Sequence, residues 1–168
     1  MEFSNIEVLQ LPNISKLTYK KIHKDYLKVL FSTAFVVFAI IFLVTYILAV
    51  NIKELKDFGF LFYIYVTIII SFISVLGWII IGFSRREYVL RDKDITYKSG
   101  VLIKTIITVP FARIQHVEIN EAPLSRVFKL ASLNVFTAGD SGNDMVIRGL
   151  KKDESLKIKE FINQQING

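Results

Sequence analysis

Few side chains in this 168-residue chain are placed where they could do bond chemistry. His116 and Glu118 stand two residues apart on one face of the alternating run Gln115 to Asn120. That spacing makes a general-base pair conceivable; a cross-strand polar pair on a solvated face is the preferred reading. Asp140 and Asp144 flank the glycines of Gly139–Asp144. Calcium loops need more oxygen donors at regular offsets, so a hairpin turn is preferred there. The absence of cysteine excludes disulfides, thiolate metal sites and a cysteine nucleophile. No phosphate-binding glycine loop, dinucleotide fingerprint or nucleophile elbow is present. The chain is therefore expected to be no enzyme, with no catalytic, metal or cofactor-binding residue and no cofactor.

Binding chemistry is better represented. Arg113 follows a strand-ending proline, and Arg126 lies on a short turn. Either guanidinium could hold a carboxylate or phosphate in a bidentate fork. Salt bridges to Glu118 or Glu121 that pin the turn are preferred. Arg85, Arg86, Arg91, Lys93, Lys98 and Lys104 form a basic rim just after a long apolar run. An anionic leaflet attracts such charges by about 1 kcal/mol each, although topology alone accounts for Arg85 and Arg86. The candidate partner or lipid contacts are Arg85, Arg86, Arg91, Lys93, Arg113 and Arg126. Nucleic acid is not an expected partner, since no aromatic-basic stripe accompanies the positive charge.

The elements that must position these residues begin in a membrane. The chain is 52% hydrophobic with a mean hydropathy of +0.46. Val29–Ile52 and Phe58–Ser84 carry no charge. At about 1.5 Å rise per residue, each run crosses a hydrocarbon core of roughly 30 Å. The first is too long for the apolar core of a signal peptide, and a mostly polar tail precedes it. Neither holds an internal charge, which disfavours a transporter. The short loop between them forces an antiparallel helical hairpin. Lys16, Lys20, Lys21, Lys24 and Lys28 before it, with Arg85, Arg86, Arg91 and Lys93 after it, place both termini in the cytoplasm. Ser71, Ser74 and Gly77, three apart, either admit the first helix closely or fall there by chance. Residues 1–28 form a cytoplasmic tail, read over Leu17–Lys28 as an extension of the first helix.

From residue 85 the pattern changes to short strands. Glu87–Arg91, Ile95–Lys98, Lys104–Val109, Gln115–Asn120, Ser132–Ala138 and Met145–Arg148 read as strands, parted by turn residues and by Gly149. Pro123–Lys129 reads as one helical turn. Lys151–Ile166 reads as a helix with Ile158, Phe161, Ile162 and Ile166 on one face. Residues 85–168 thus form a small bent sheet or barrel covered by a terminal helix. Val117 and Ile119 are expected to point inward, with Leu124, Val127 and Leu130 packing the turn on the core.

The stretch "VPFARIQHVEINEAPLSRVFKLASLNVFTAGDSGNDMVIRGL", residues 109–150, resembles the YdbS-like bacterial membrane proteins that carry a bacterial PH domain. The matching positions are Pro110, Arg113 to Val117, Pro123, Leu124, Arg126, Leu130 and Thr137 to Gly139. The preceding spans fit the same layout, and the resemblance implies that the hairpin lies in the inner membrane of a bacterial cell. The resemblance implies a PH-like fold, a seven-stranded bent barrel with a C-terminal helix. It also implies a membrane-protein partner, conceivably a larger one with several such domains. Lys129 stands where the family usually has glycine, so this turn could close differently. The first hairpin loop, Asp92-Lys93, is too short for head-group binding in the manner of phosphoinositide-binding PH domains. The expectation is a binding or scaffold subunit of a membrane complex; the alternative is peripheral recognition of anionic lipid at the inner leaflet.

Overall fold

The structure is a computed structural model that describes residues 18–52, 58–138 and 143–167. The short loop between the spans, residues 53–57, and residues 139–142 of the Gly139–Asp144 loop lie outside the described residues, and so do the expectations for them.

Helices α1 (Tyr26–Asn51) and α2 (Phe58–Ser84) form the apolar hairpin. At 1.5 Å per residue each is about 40 Å long, enough to cross a bilayer. Hydroxyls within them fold back on their own helix: Thr33 donates to the Val29 carbonyl, Thr45 to that of Ile41 and Ser74 to that of Ile70. Each polar group is thereby satisfied without water. Large rings join the helices, Phe38 against Phe72 at 5.0 Å and Phe42 against Tyr65 at 4.9 Å. Ser71, Ser74 and Gly77 do not form the seam. Gly77 faces open space, because the half-buried stripe Tyr65, Phe72, Leu76 and Phe83 occupies the α1-facing side.

Seven strands follow the expected outline, but the first comes from an unexpected place. β1 (Lys20–Lys21), β2 (Glu87–Leu90), β3 (Asp94–Ser99) and β4 (Thr105–Pro110) make one antiparallel sheet. β5 (Ile114–Asn120), β6 (Leu130–Thr137) and β7 (Asn143–Lys151) make the second. Residues just before α1 are thus not a helical extension. They pair with β2, Lys20 opposite Tyr88 and Lys21 opposite Glu87. Ile22 is buried, and His23 N–H donates to the Gly149 carbonyl at 2.9 Å. The tail and the strand-rich domain share one sheet across the membrane hairpin.

Alternation places Ile95 and Val109 from the first sheet against Val117, Leu133, Val135 and Ile147 from the second. Helix α4 (Lys152–Asn167) closes this core with Ile158 and Ile162, as the 3.6-residue period requires. Ile119 packs on the same core. Gly149 does not end the last strand. Ala131 pairs with Leu150 while Ser132 pairs with Arg148, so Gly149 is the extra residue of a bulge, at φ +84°.

The turn between β5 and β6 is helix α3 (Pro123–Val127), with proline in its first turn. Leu130 is buried as expected, but in a second cluster with Ile22, Tyr26 and Val29. Leu124 and Val127 do not pack inward. They are 37% and 74% exposed, since five residues make too little helix to turn every apolar side chain under. Lys129 itself adopts φ +54°, so the turn closes in the left-handed conformation that glycine would favour.

Candidate membrane-interface site

The six basic candidates divide by what surrounds them. Arg91 grips Asp94 across the β2–β3 turn, Nε to Oδ1 and Nη2 to Oδ2, both at 2.6 Å. This fork ties a tight turn and uses the guanidinium's bidentate face. Lys93 is exposed, and its carbonyl accepts the Phe111 N–H at 2.9 Å. Arg86 lies over the Tyr26 ring at 5.7 Å, linking the end of α2 to the start of α1. Arg113 ends a single 3-10 turn (Phe111–Arg113) with its side chain exposed; its carbonyl accepts the Ala138 N–H at 3.2 Å. Arg126 is 4.0 Å from Glu121 with its side chain 74% exposed, and Lys152 holds that carboxylate more closely at 2.8 Å. An ion pair so loose and wet adds little to the turn's stability.

Among the described residues, three candidates line cavities with other cations: Arg126 with Lys129, Lys151 and Lys152 beside three carboxylates, Arg86 with Arg148, and Arg85 at the end of the second span. Of the sites that hold three or more cations, that of Arg85 has the fewest carboxylates against them. Arg85 lines a cleft of about 190 Å³ with Ser84, Glu87, Lys98, Ser99 and Lys104. The end of α2 forms one wall, and the β3–β4 connection forms the other. Lys98 is 3.7 Å from Glu87, so one carboxylate faces three cations. The excess is positive, while the Ser84 hydroxyl donates to the Ile81 carbonyl at 2.8 Å and so is spent on its own helix. A phosphate or sulfate ester matches that chemistry. Beside the cleft a larger groove of about 500 Å³ runs between β4 and β7 under the helix ends, lined by Leu30, Trp78, Tyr97, Ile107, Val146 and Arg148. The sequence pattern contained Lys98 and Lys104, but it did not show that Ser84 and Ser99 would meet them.

The His116–Glu118 pair stands on an open strand face at 3.6 Å, with the imidazole stacked on Phe136 at 4.2 Å. Both partners are about half exposed, and neither lines the cleft. The expected cross-strand pair does not form: both residues lie on β5, two apart, and the cross-strand neighbours are Phe136 for His116 and Asn134 for Glu118.

A polar cluster fastens the N-terminal strand. Glu154 on α4 accepts from Lys20 and, at 2.7 Å, from the Tyr88 hydroxyl. Burial pushes the Glu154 carboxyl up, but the hydrogen bonds from Lys20 and Tyr88 outweigh it, leaving the group below the usual carboxylate range. Burial, reinforced by that carboxylate, pushes the Tyr88 phenol far above its ordinary range.

A family model described as "Bacterial PH domain" matches residues 29–166. Over 78 residues the chain is 27% identical to the UPF0699 transmembrane protein YdbS of Bacillus subtilis (strain 168). The alignment takes in 46% of this chain and 47% of that protein, so the chain spans about half the length of the curated relative it matches. A crystal structure of a DUF1696 family protein with a pleckstrin-homology domain, from Shewanella loihica PV-4, is 20% identical, over 50% of this chain and 73% of that one, with a TM-score of 0.39.

Proposed function

The chain belongs to the bacterial PH domain family, and from that premise we propose that it is a membrane-anchored binding module whose domain engages the anionic leaflet on its own side. The cleft of Arg85, Lys98 and Lys104 carries this reading, because it opens where the second span ends. A lipid phosphate entering there meets fixed cations rather than a search through solvent. The flanking charge favours the cytoplasmic leaflet as that side. The cleft suits recognition of an anion, since it offers donors and positive charge.

The test is native mass spectrometry of the full chain in mild detergent with phosphatidylcholine and phosphatidylglycerol. Lys98→Ala with Lys104→Ala should weaken phosphatidylglycerol retention about tenfold to thirtyfold, at about 1 kcal/mol per cation. Arg91→Ala should leave it unchanged, since Arg91 is spent on Asp94. Equal retention by the double variant and the parent would refute the lipid reading.

A second reading, as scaffold subunit of a membrane complex, rests on β4. It is the outer strand of its sheet, mostly exposed, with Ile106 on its surface. An extended segment of a membrane partner, such as a larger one with several PH-like domains, can add to such an edge. Ile106→Pro would block strand addition; a co-purifying partner that survives it refutes this docking mode.

A further inference from the structure

We propose that the β3–β4 connection, Val101-Leu102-Ile103, is a third membrane anchor that enters the head-group boundary of the bilayer crossed by α1 and α2. Leu102 and Ile103 are 83% and 81% exposed, the most exposed large apolar side chains of the described residues. Left in water, such a pair is unusual on a small domain. Their surroundings identify the occupant. Val101 packs at Gly82: a Cβ there would lie 3.5 Å from Val101 Cγ2. Gly82 stands on the last turn of α2, roughly 6 Å along the axis from Trp78 and 4.5 Å before Arg85. Tryptophan and arginine bracket the interfacial layer at the end of a span. The tip is therefore level with the end of the hydrocarbon, beside a helix that is itself in the membrane.

The tip is also held in shape. Gly100 has φ +108°, and a Cβ on it would fall 1.8 Å from the Ile103 carbonyl oxygen. The backbone doubles back there as only glycine permits. Lys98 and Lys104 flank the tip, and long cationic side chains reach the head groups while their stems stay apolar. Insertion would fix the domain's tilt at three points and hold the cationic cleft at head-group depth. The proposal rests on the membrane hairpin and stands whether or not the cleft selects anionic lipid.

The natural absence of cysteine allows a direct test with the full chain in nanodiscs carrying one copy each. The reporters are Leu102→Cys and, as a control, Ala112→Cys. Ala112 is exposed just past the far end of β4, roughly 20 Å away along the strand. In phosphatidylcholine discs the Leu102→Cys thiol should react with a sulfonated maleimide about tenfold slower or more, because the charged reagent must leave water. The two thiols should react alike after denaturation. Similar rates in the folded protein would overturn the proposal, as would protection that appears only in discs holding two copies, which would mark a self-contact. Protection that required phosphatidylglycerol would overturn it too, since the tip would then be held by the cleft. Failure of lipid selection alone would leave the protection in neutral discs intact.

Discussion

Replacing Gly149 with alanine should unseat the join between tail, domain and hairpin. The new Cβ would lie 2.6 Å from Tyr26 Cγ and 2.9 Å from its Cβ and Cδ1. Those atoms are the root of a buried ring packed among Ile22, Val29 and Leu130, so they cannot swing aside. Crowding a packed site costs about 1–3 kcal/mol. Holding alanine at φ +84° adds about 1–2 kcal/mol. The sum, about 2–5 kcal/mol, should lower the domain's melting temperature by roughly 10–30 °C in scanning calorimetry of the full chain. Hydrogen exchange should rise at His23, whose N–H bonds to the Gly149 carbonyl. Tyr26→Ala alone should also destabilise, yet the double variant should cost about 1–3 kcal/mol less than the two summed, because the clashing ring is gone. Gly77→Ala, with nothing within 4 Å, should stay within about 1 kcal/mol of the parent. An unchanged melting temperature for Gly149→Ala, or strict additivity with Tyr26→Ala, would refute the seating of Tyr26 on the bulge.

Lys129→Gly should stabilise the domain by about 1 kcal/mol, because Lys129 sits at φ +54° where glycine meets no Cβ strain; a loss in chemical denaturation would contradict the left-handed turn. Glu154, held below its ordinary 4.5, contributes stability that is present at neutral pH and is lost as pH falls through 4.5 toward the folded value. The urea midpoint should therefore drop more steeply below pH 5 for the parent than for Glu154→Gln, and parallel curves would rule the cluster out. A fragment of residues 85–168 should be cut by protease faster than one in which residues 18–26 are fused ahead through a flexible linker, since Tyr88 and Leu130 lose their cover; equal rates would make the N-terminal strand dispensable.

The parts legible in the sequence are those with local periodicity. Val117 and Ile119 alternate, and Ile158 and Ile162 repeat at helical spacing, so β5 and α4 could be read directly. β1 could not be read that way. It is two lysines whose strand character comes from Tyr88 and Glu87, on the far side of both spans. Ile22 and Tyr26, apolar within a lysine-rich flank, were its one available signal. Lys129 concealed a left-handed turn behind an unfavourable residue type, and Gly149 looked like a terminator because a bulge and a strand end share the same glycine. The basic rim was visible as composition. Its division into the Arg91 fork, the Arg86–Tyr26 contact and the Arg85 cleft depends on three-dimensional neighbours.

The sheet that begins before one span and continues after the other also acts as a checkpoint on membrane insertion. β1 can reach β2 only if both ends of the hairpin emerge on the same face. A chain with one span misthreaded would strand Lys20–Tyr26 across the bilayer from Gly149. It would then present the same uncovered surface to cellular proteases as the truncated domain. Deleting α2 alone should reproduce the protease sensitivity of the 85–168 fragment, so that correct topology is read out as survival of the folded domain.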